Sequence, residues 1–386
     1  MTNVTRMTLA GAVAALVAAP MVFGPTAAQV LQRVGPPDSD LLVSGRSIEQ
    51  PQLSAYPLEV PADLGLEILP LQGNVFMIAS PGGNTVVQVG RDGVFVVDPG
   101  PEARAEKTLQ AIRIITKAPI GYLLNTTADR DTYGANEKIA AAGQNPTVAP
   151  QGLGGPNAPP ADQFGIAQQA QAGAAPAGGG QPQRQQSAII FAHENLLNRM
   201  SAPTGSTAAE PTGMWPTNTF FTLRKTLWYN DEALEFIHEP SAHTDGDVML
   251  FFRKSDAIAA GPIIDTFAYP VPDAKRGGSI AGILKGLNDI IDVAVPKYNQ
   301  QGGTKIAPGR GRILNEADVV EYRDMMTIIR NRVKDYVDKG MTLQQAQAIG
   351  PTLEYDPLYS TPKFTGQQLV ETIYNDLKAA KTPARR

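Results

Sequence analysis

The stretch NTTADRDTYGAN, Asn125–Asn136, sets Thr, Asp, Arg, Asp and Thr side chains in a turn that follows a run reading as a buried strand, Ile120–Leu124. Two carboxylates, Asp129 and Asp131, stand two residues apart. Acids held that close either raise one another's pKa or recruit a cation, so the turn has the look of one built to hold something. Few other residues can share such chemistry. The 386-residue chain has no cysteine and three histidines, His193, His238 and His243. Disulfides and thiolate metal sites are therefore excluded. No G-x-S-x-G elbow supports a serine hydrolase. The glycine pairs fall at hairpin turns and do not open helices as phosphate loops do.

The elements that must position this turn emerge from the patterning along the chain. LEILPLQGNVFMIAS, NTVVQVG and GVFVVDPG are short β-rich runs separated by Gly-Asn, Gly-Gly-Asn and Arg-Asp-Gly, which are hairpin signals. Residues 103–116 carry helical spacing at Leu109, Ile112 and Ile115. The strand 120–124 and the turn follow, then a short helix over 137–142. SAIIFAHENLLNRMS predicts a strand running into a helix. TFFTLRKTLWYNDEALEFIHEP predicts strand, turn, strand, and DVMLFFRKSDAIAAG another hairpin. Amphipathic helices are expected over 278–295, 316–339 and 367–380, with GGTKIAPGRGR as strand and loop between the first two. Hairpins and strand–helix units in this order predict an α/β sandwich of two mixed β-sheets with helices outside.

The ends and one insertion differ in kind. Arg6, the apolar run 7–23 and Thr26-Ala27-Ala28 read as a signal peptide cleaved after Ala28. The run is short for a membrane span and Pro20 interrupts it, so a periplasmic or secreted protein with no stable membrane anchor after cleavage is expected. Residues 29–65 read as an irregular, Pro-rich arm. Residues 150–187, rich in Gly, Pro, Ala and Gln, read as a disordered insertion. Residues 341–386 read as a C-terminal helical extension packed on the main domain, 66–340. The net charge of −4 comes from mixed acids and bases, with no basic stripe, so no nucleic-acid partner is expected.

Landmarks in order give the chain a resemblance to the metallo-β-lactamase superfamily from about Leu66 to Arg332. GGNTVVQVGRDGVFVVDPGP looks like the family's opening hairpin and Asp-Thr-Gly turn, with Pro99 in place of Thr. PIGYLLNTTADRDTYGAN looks like the strand and turn of the His-x-His-x-Asp-His motif. AIIFAHENLLNRM matches a common strand–helix segment, SAHTDGDVMLFF the third-histidine loop, and GGTKIAPGRGR the late Pro-Gly-His-Gly loop. The resemblance implies an αββα sandwich with a site of one or two zinc ions at one edge of the sheets, where a metal-activated water hydrolyses lactams, thioesters or phosphoesters.

Carried over position by position, the family's ligands are mostly gone. Thr127 stands at the first histidine, Asp129 at the second and Thr132 at the next. Pro262 stands at the bridging aspartate, and Arg310 at the final histidine. Asp131 and His243 keep their identities. The family's full site needs five histidines, more than the whole chain contains. Threonine and proline do not replace them as zinc ligands. The expectation is an exported metallo-β-lactamase-fold protein with the zinc site lost, no cofactor, and a binding or scaffold role toward a small molecule or protein. Arg310 is the cation expected to pair with Asp131 or Asp129. The alternative is a hydrolase using Asp129, Asp131 and His243, with zinc or another divalent metal or with Asp129 and His243 as acid and base. His193-Glu194 is expected to cap or pack, His238 to be structural, Asp247 to brace the His243 loop through backbone bonds, and Asp98 to order its own turn and its neighbour at Asp131.

Overall fold

The computed structural model describes residues 58–147, 186–201, 207–294 and 303–381. These residues fall in one compact unit, Glu49–Arg386; the other unit, Met1–Ile48, lies wholly outside them. The signal segment, the arm up to residue 57 and nearly all of the insertion also lie outside the described residues.

The first hairpins form as their turn residues dictate: β1 (Glu67–Gln72), β2 (Val75–Ala79), β3 (Thr85–Gly90) and β4 (Gly93–Val97). Helix α1 (Ala105–Ile115) buries Ala111, Ile112 and Ile115 and leads into β5 (Ile120–Leu124). The short helices α2 (Arg130–Tyr133) and α3 (Asn136–Ala141) follow, then β6 (Ile189–His193), α4 (Glu194–Met200) and β7 (Asn218–Phe220). The second half runs β8 (Arg224–Tyr229), β9 (Glu232–Glu239), β10 (Asp247–Phe252), β11 (Ala257–Asp265), α5 (Ile280–Val293), β12 (Lys305–Arg310) and α6 (Glu316–Asp338). It closes with α7 (Leu343–Ile349), α8 (Asp356–Tyr359) and α9 (Gly366–Lys381). The β8–β9 turn is Asn230-Asp231, with φ of 54° and 61°. Asn and Asp tolerate that left-handed pair, which matches strand twist in a two-residue hairpin.

Seven strands pair in the order β1-β2-β3-β4-β5-β6-β7 and five in the order β12-β11-β10-β9-β8. Both sheets are mixed: β4 to β7 run parallel, as do β11 and β12, and the other pairs are antiparallel. Phe95, Tyr122, Phe191, Phe236, Leu250 and Phe252 fill the space between the sheets. Aromatic rings meet there edge-on, as at Phe191–Phe236, 5.4 Å apart at 70°. Helices α1 and α3 cover the outer face of the larger sheet. On the outer face of the smaller sheet, Ile283, Leu287 and Ile290 of α5 and Met326 and Ile329 of α6 share one core with Leu369, Val370 and Ile373 of α9. The layers are therefore helix, sheet, sheet, helix. No helix among the described residues is long and apolar enough to cross a membrane.

Candidate functional site

Strand β5 delivers the turn and two asparagines fasten its ends. Asn125 and Asn136 are fully buried and exchange amide hydrogen bonds of 2.9 and 2.8 Å; Asn136 Nδ2 also donates to the Met214 carbonyl at 2.8 Å. Between them, a Cβ at Gly134 would come within 2.7 Å of the Arg130 carbonyl oxygen, so glycine is needed there. Asn136→Ala orphans both amide atoms of Asn125 and the Met214 carbonyl. We expect it to cost about 2 kcal/mol of unfolding free energy, read by urea denaturation; wild-type stability would contradict this account of the turn.

The neighbouring acids are tied to the chain around them. Asp98 sits at φ 51° in the turn after β4. Its carboxylate accepts the Thr126 N–H at 2.8 Å and the Thr126 hydroxyl, so it orders the start of the turn. Asp131 reaches it only as a nearby like charge. Burial lifts the pKa of Asp98 to about 7 against the pull of the Thr126 bonds. Thr127, which the resemblance sets at the first histidine position, donates to Asp247 at 2.7 Å. Asp247 also accepts from the Thr244 N–H at 2.7 Å and the Thr244 hydroxyl at 2.6 Å, which braces the loop carrying His243. Thr132 turns its hydroxyl back to the Asp129 carbonyl at 2.7 Å. Pro262 contributes no donor atom.

Asp129 is clamped between two cations. His243 Nε2 lies 2.7 Å from its Oδ2, and Arg276 Nη2 lies 2.6 Å from its Oδ1. His243 Nδ1 faces the Val271 carbonyl. A carboxylate and a carbonyl only accept, so both ring nitrogens donate and the ring is an imidazolium. Burial pulls its pKa down, but the hydrogen bond and charge of Asp129, then Asp247 and the Val271 carbonyl, outweigh it and raise the pKa to about 9. Asp129 in turn is held below the usual carboxylate range, because His243 and Arg276 outweigh its own burial. Asp131 is exposed and is raised by partial desolvation and by Asp129.

Arg310 does not pair with either acid of the turn. Its Nη2 lies 2.6 Å from Asp265 Oδ2, because β11 and β12 run parallel in a register that sets Asp265 beside Arg310. The nearest acid on the adjacent strand takes the guanidinium. The cation at Asp129 comes instead from a segment that sequence reasoning passed over. Asp273 accepts from the N–H groups of Lys275 and Arg276 and caps the single turn Ala274–Arg276. It also takes Arg276 Nε at 2.7 Å. Arg276 Nη1 donates to the Ala128 carbonyl at 2.7 Å, and the Arg276 carbonyl accepts from Arg199 at 3.0 Å. An Asp followed three residues later by Arg, closed by Gly277 at φ 87°, is the local signal that could have marked this turn. A second overlooked cation, Arg104, lies against the Gly83 carbonyl at 2.9 Å and feels the charges of Asp131 and Asp98.

The other two histidines lie apart from this network. His193 Nδ1 accepts the Asn195 N–H at 3.3 Å and caps α4. His238 bonds the Asp245 carbonyl at 2.8 Å, and the two rings stack 3.6 Å apart. Burial, then the charge of His238, pushes His193 down to about 4.

The fold raises the question of zinc, and the residues present do not fit it. A ligating histidine must be neutral with a free lone pair, whereas both nitrogens of His243 donate. Both oxygens of Asp129 are engaged by cations. Asp129 and His243 bond each other and do not converge with Asp131 on a shared point. No group of three or more His, Asp or Glu residues among the described residues is arranged to hold a metal ion. A cleft of about 440 Å³ opens beside the network, lined by Ala128, Tyr133, Leu196, Met200, Glu210 and Arg276 among others.

No family matches the sequence, and no curated protein does. Solved structures match by shape. A double mutant of the sec-alkylsulfatase PisA1 is 12% identical with a TM-score of 0.54, over 90% of this chain and 61% of that one. The stereoselective inverting sec-alkylsulfatase Pisa1 from Pseudomonas sp. is 13% identical with a TM-score of 0.52, over 80% and 50%. The chain thus spans between half and two-thirds of those proteins. A metallo-β-lactamase from Pontibacter korlensis is 12% identical with a TM-score of 0.44, over 68% of this chain and 99% of that one. With seven and five strands in two mixed sheets between helical layers, the chain has the metallo-β-lactamase fold.

Proposed function

We propose that this is an exported metallo-β-lactamase-fold protein whose metal site has given way to a permanent ion-pair network, inactive as a zinc hydrolase and acting as a binding or scaffold protein. The observation that carries the reading is the clamp on Asp129, with His243 at 2.7 Å and Arg276 at 2.6 Å. A guanidinium and an imidazolium supply the positive charge that the family's carboxylates otherwise take from zinc, and a divalent ion would be repelled by both. The cleft beside Arg276 offers the binding role a place for a small molecule or a peptide. A hydrolase using Asp129 and His243 as acid and base asks His243 to exchange its proton near neutral pH. A pKa of about 9 and two occupied nitrogens oppose that.

Elemental analysis of protein purified without chelator, with melting curves in zinc and in EDTA, tests the proposal. The expected result is no stoichiometric metal and the same melting temperature in both. A zinc-dependent rise of several degrees would overturn it. Restoring histidine at 127, 129, 132 and 310 and aspartate at 262 is expected to recruit zinc only when Arg276 is also truncated. Zinc binding that ignores Arg276 would place the vacated site elsewhere.

A further inference from the structure

Strand β8 ends the five-stranded sheet and is paired only by β9 within the described strand order. The His238 N–H donates to the Leu223 carbonyl at 2.9 Å, which fixes the alternation along the ladder. Lys225, Leu227 and Tyr229 turn their backbone groups toward β9, and Arg224, Thr226 and Trp228 turn theirs to the free edge. The side chains of those same three residues stand exposed, Trp228 at 74%. Phe221 and Leu223, just before the strand, are 75% and 66% exposed. The Arg224 carbonyl accepts the Thr222 hydroxyl at 2.8 Å and keeps its second lone pair; an edge whose backbone groups face outward beside large exposed apolar side chains is a template for another strand.

The strand is complementary to itself in one register. We infer that β8 pairs antiparallel with β8 of a second copy of this chain about a two-fold axis at Thr226, joining the two smaller sheets into one. In that register Arg224 lies opposite Trp228 of the second copy, and the symmetry repeats the pair. A guanidinium over an indole face is a favourable contact. Thr226 faces Thr226 and Lys225 faces Leu227, while the Lys225 amine keeps its place 5.7 Å from the centre of its own Phe191 ring. Neighbouring registers are worse. An axis at Lys225 sets lysine against lysine at the closest spacing of the ladder. An axis at Leu227 draws in Asn230, held at φ 54° in the hairpin turn and unable to continue the strand.

The chain's lack of cysteine makes the test clean. The full chain is expected to sediment as a dimer at tens of micromolar. Thr226→Pro removes an N–H that points away from β9, which an edge strand tolerates, so it is expected to give a monomer with unchanged circular dichroism and melting temperature. Opposite residues of a hydrogen-bonded antiparallel pair lie about 5.5 Å apart at Cα, within disulfide reach. Thr226→Cys is therefore expected to cross-link under mild oxidation at least tenfold faster than Trp228→Cys, which faces Arg224. A monomeric wild type, or a Thr226→Pro variant that stays dimeric, overturns the interface; equal cross-linking at the two positions overturns the register.

Discussion

Replacing Asp129 with asparagine is expected to lower the stability of the fold by about 3 kcal/mol, and Arg276→Met by a similar amount. Both side chains are about three-quarters buried, and removing one member of such a pair strands the others. Without Asp129, Arg276 keeps Asp273 but loses a contact of 2.6 Å, and the imidazolium of His243 loses its hydrogen-bonded counter-ion and keeps only the charge of Asp247 nearby. Without Arg276, Asp129 keeps His243 while the Ala128 carbonyl loses its donor. The double variant removes both charges together, so it is expected to cost less than the two singles added, by about 1–2 kcal/mol. Additive losses measured by urea denaturation would show that the two residues act independently and that Arg276 is not the counter-ion of Asp129.

Stability is expected to fall as pH rises from 6.5 to 9. His243 ordinarily titrates near 6.5, and in the folded protein near 9. Below 6.5 both folded and unfolded states hold the proton and the contribution is complete. Between the two values only the folded state holds it, so each step upward in pH favours unfolding, and above 9 the contribution is gone. A shift of that size corresponds to about 3 kcal/mol. Asp98, raised to about 7 by burial, acts in the same sense at lower pH, its contribution fading between about 4 and 7. His193, lowered to about 4 by burial and by His238, acts oppositely and removes stability as pH falls from 6.5. The window above 7 therefore belongs to His243, and His243→Gln is expected to flatten it. A slope there that survives the substitution would assign it to another group.

The elements of this fold are legible in the sequence because local signals agree with their final places. Asn230-Asp231 makes its hairpin, Ser279 caps α5 by accepting from Gly282 N–H, and Asn315 and Asp318 form a capping box at α6. That Thr127, Thr132 and Arg310 stand where the resemblance expects imidazoles is read from residue types alone. The cation that pairs with Asp129 is not. Arg276 meets Asp129 across a long stretch of chain, in a contact made by topology and by a one-turn cap at Asp273. Arg310 is the nearer choice by motif, but strand register pairs it with Asp265. Which charges pair across a folded edge depends on register and reach, and neither is written in spacing along the chain.

The most direct measurement is the protonation of His243 itself. With three histidines in the chain, ring-nitrogen NMR spectra are simple, and His243→Gln assigns the signal. Both nitrogens of His243 are expected to carry protons at pH 7, the ring to titrate near 9, and one equivalent of zinc to move neither resonance. A His243 that titrates below 7, or a nitrogen that yields its proton to zinc, would contradict the clamp on Asp129.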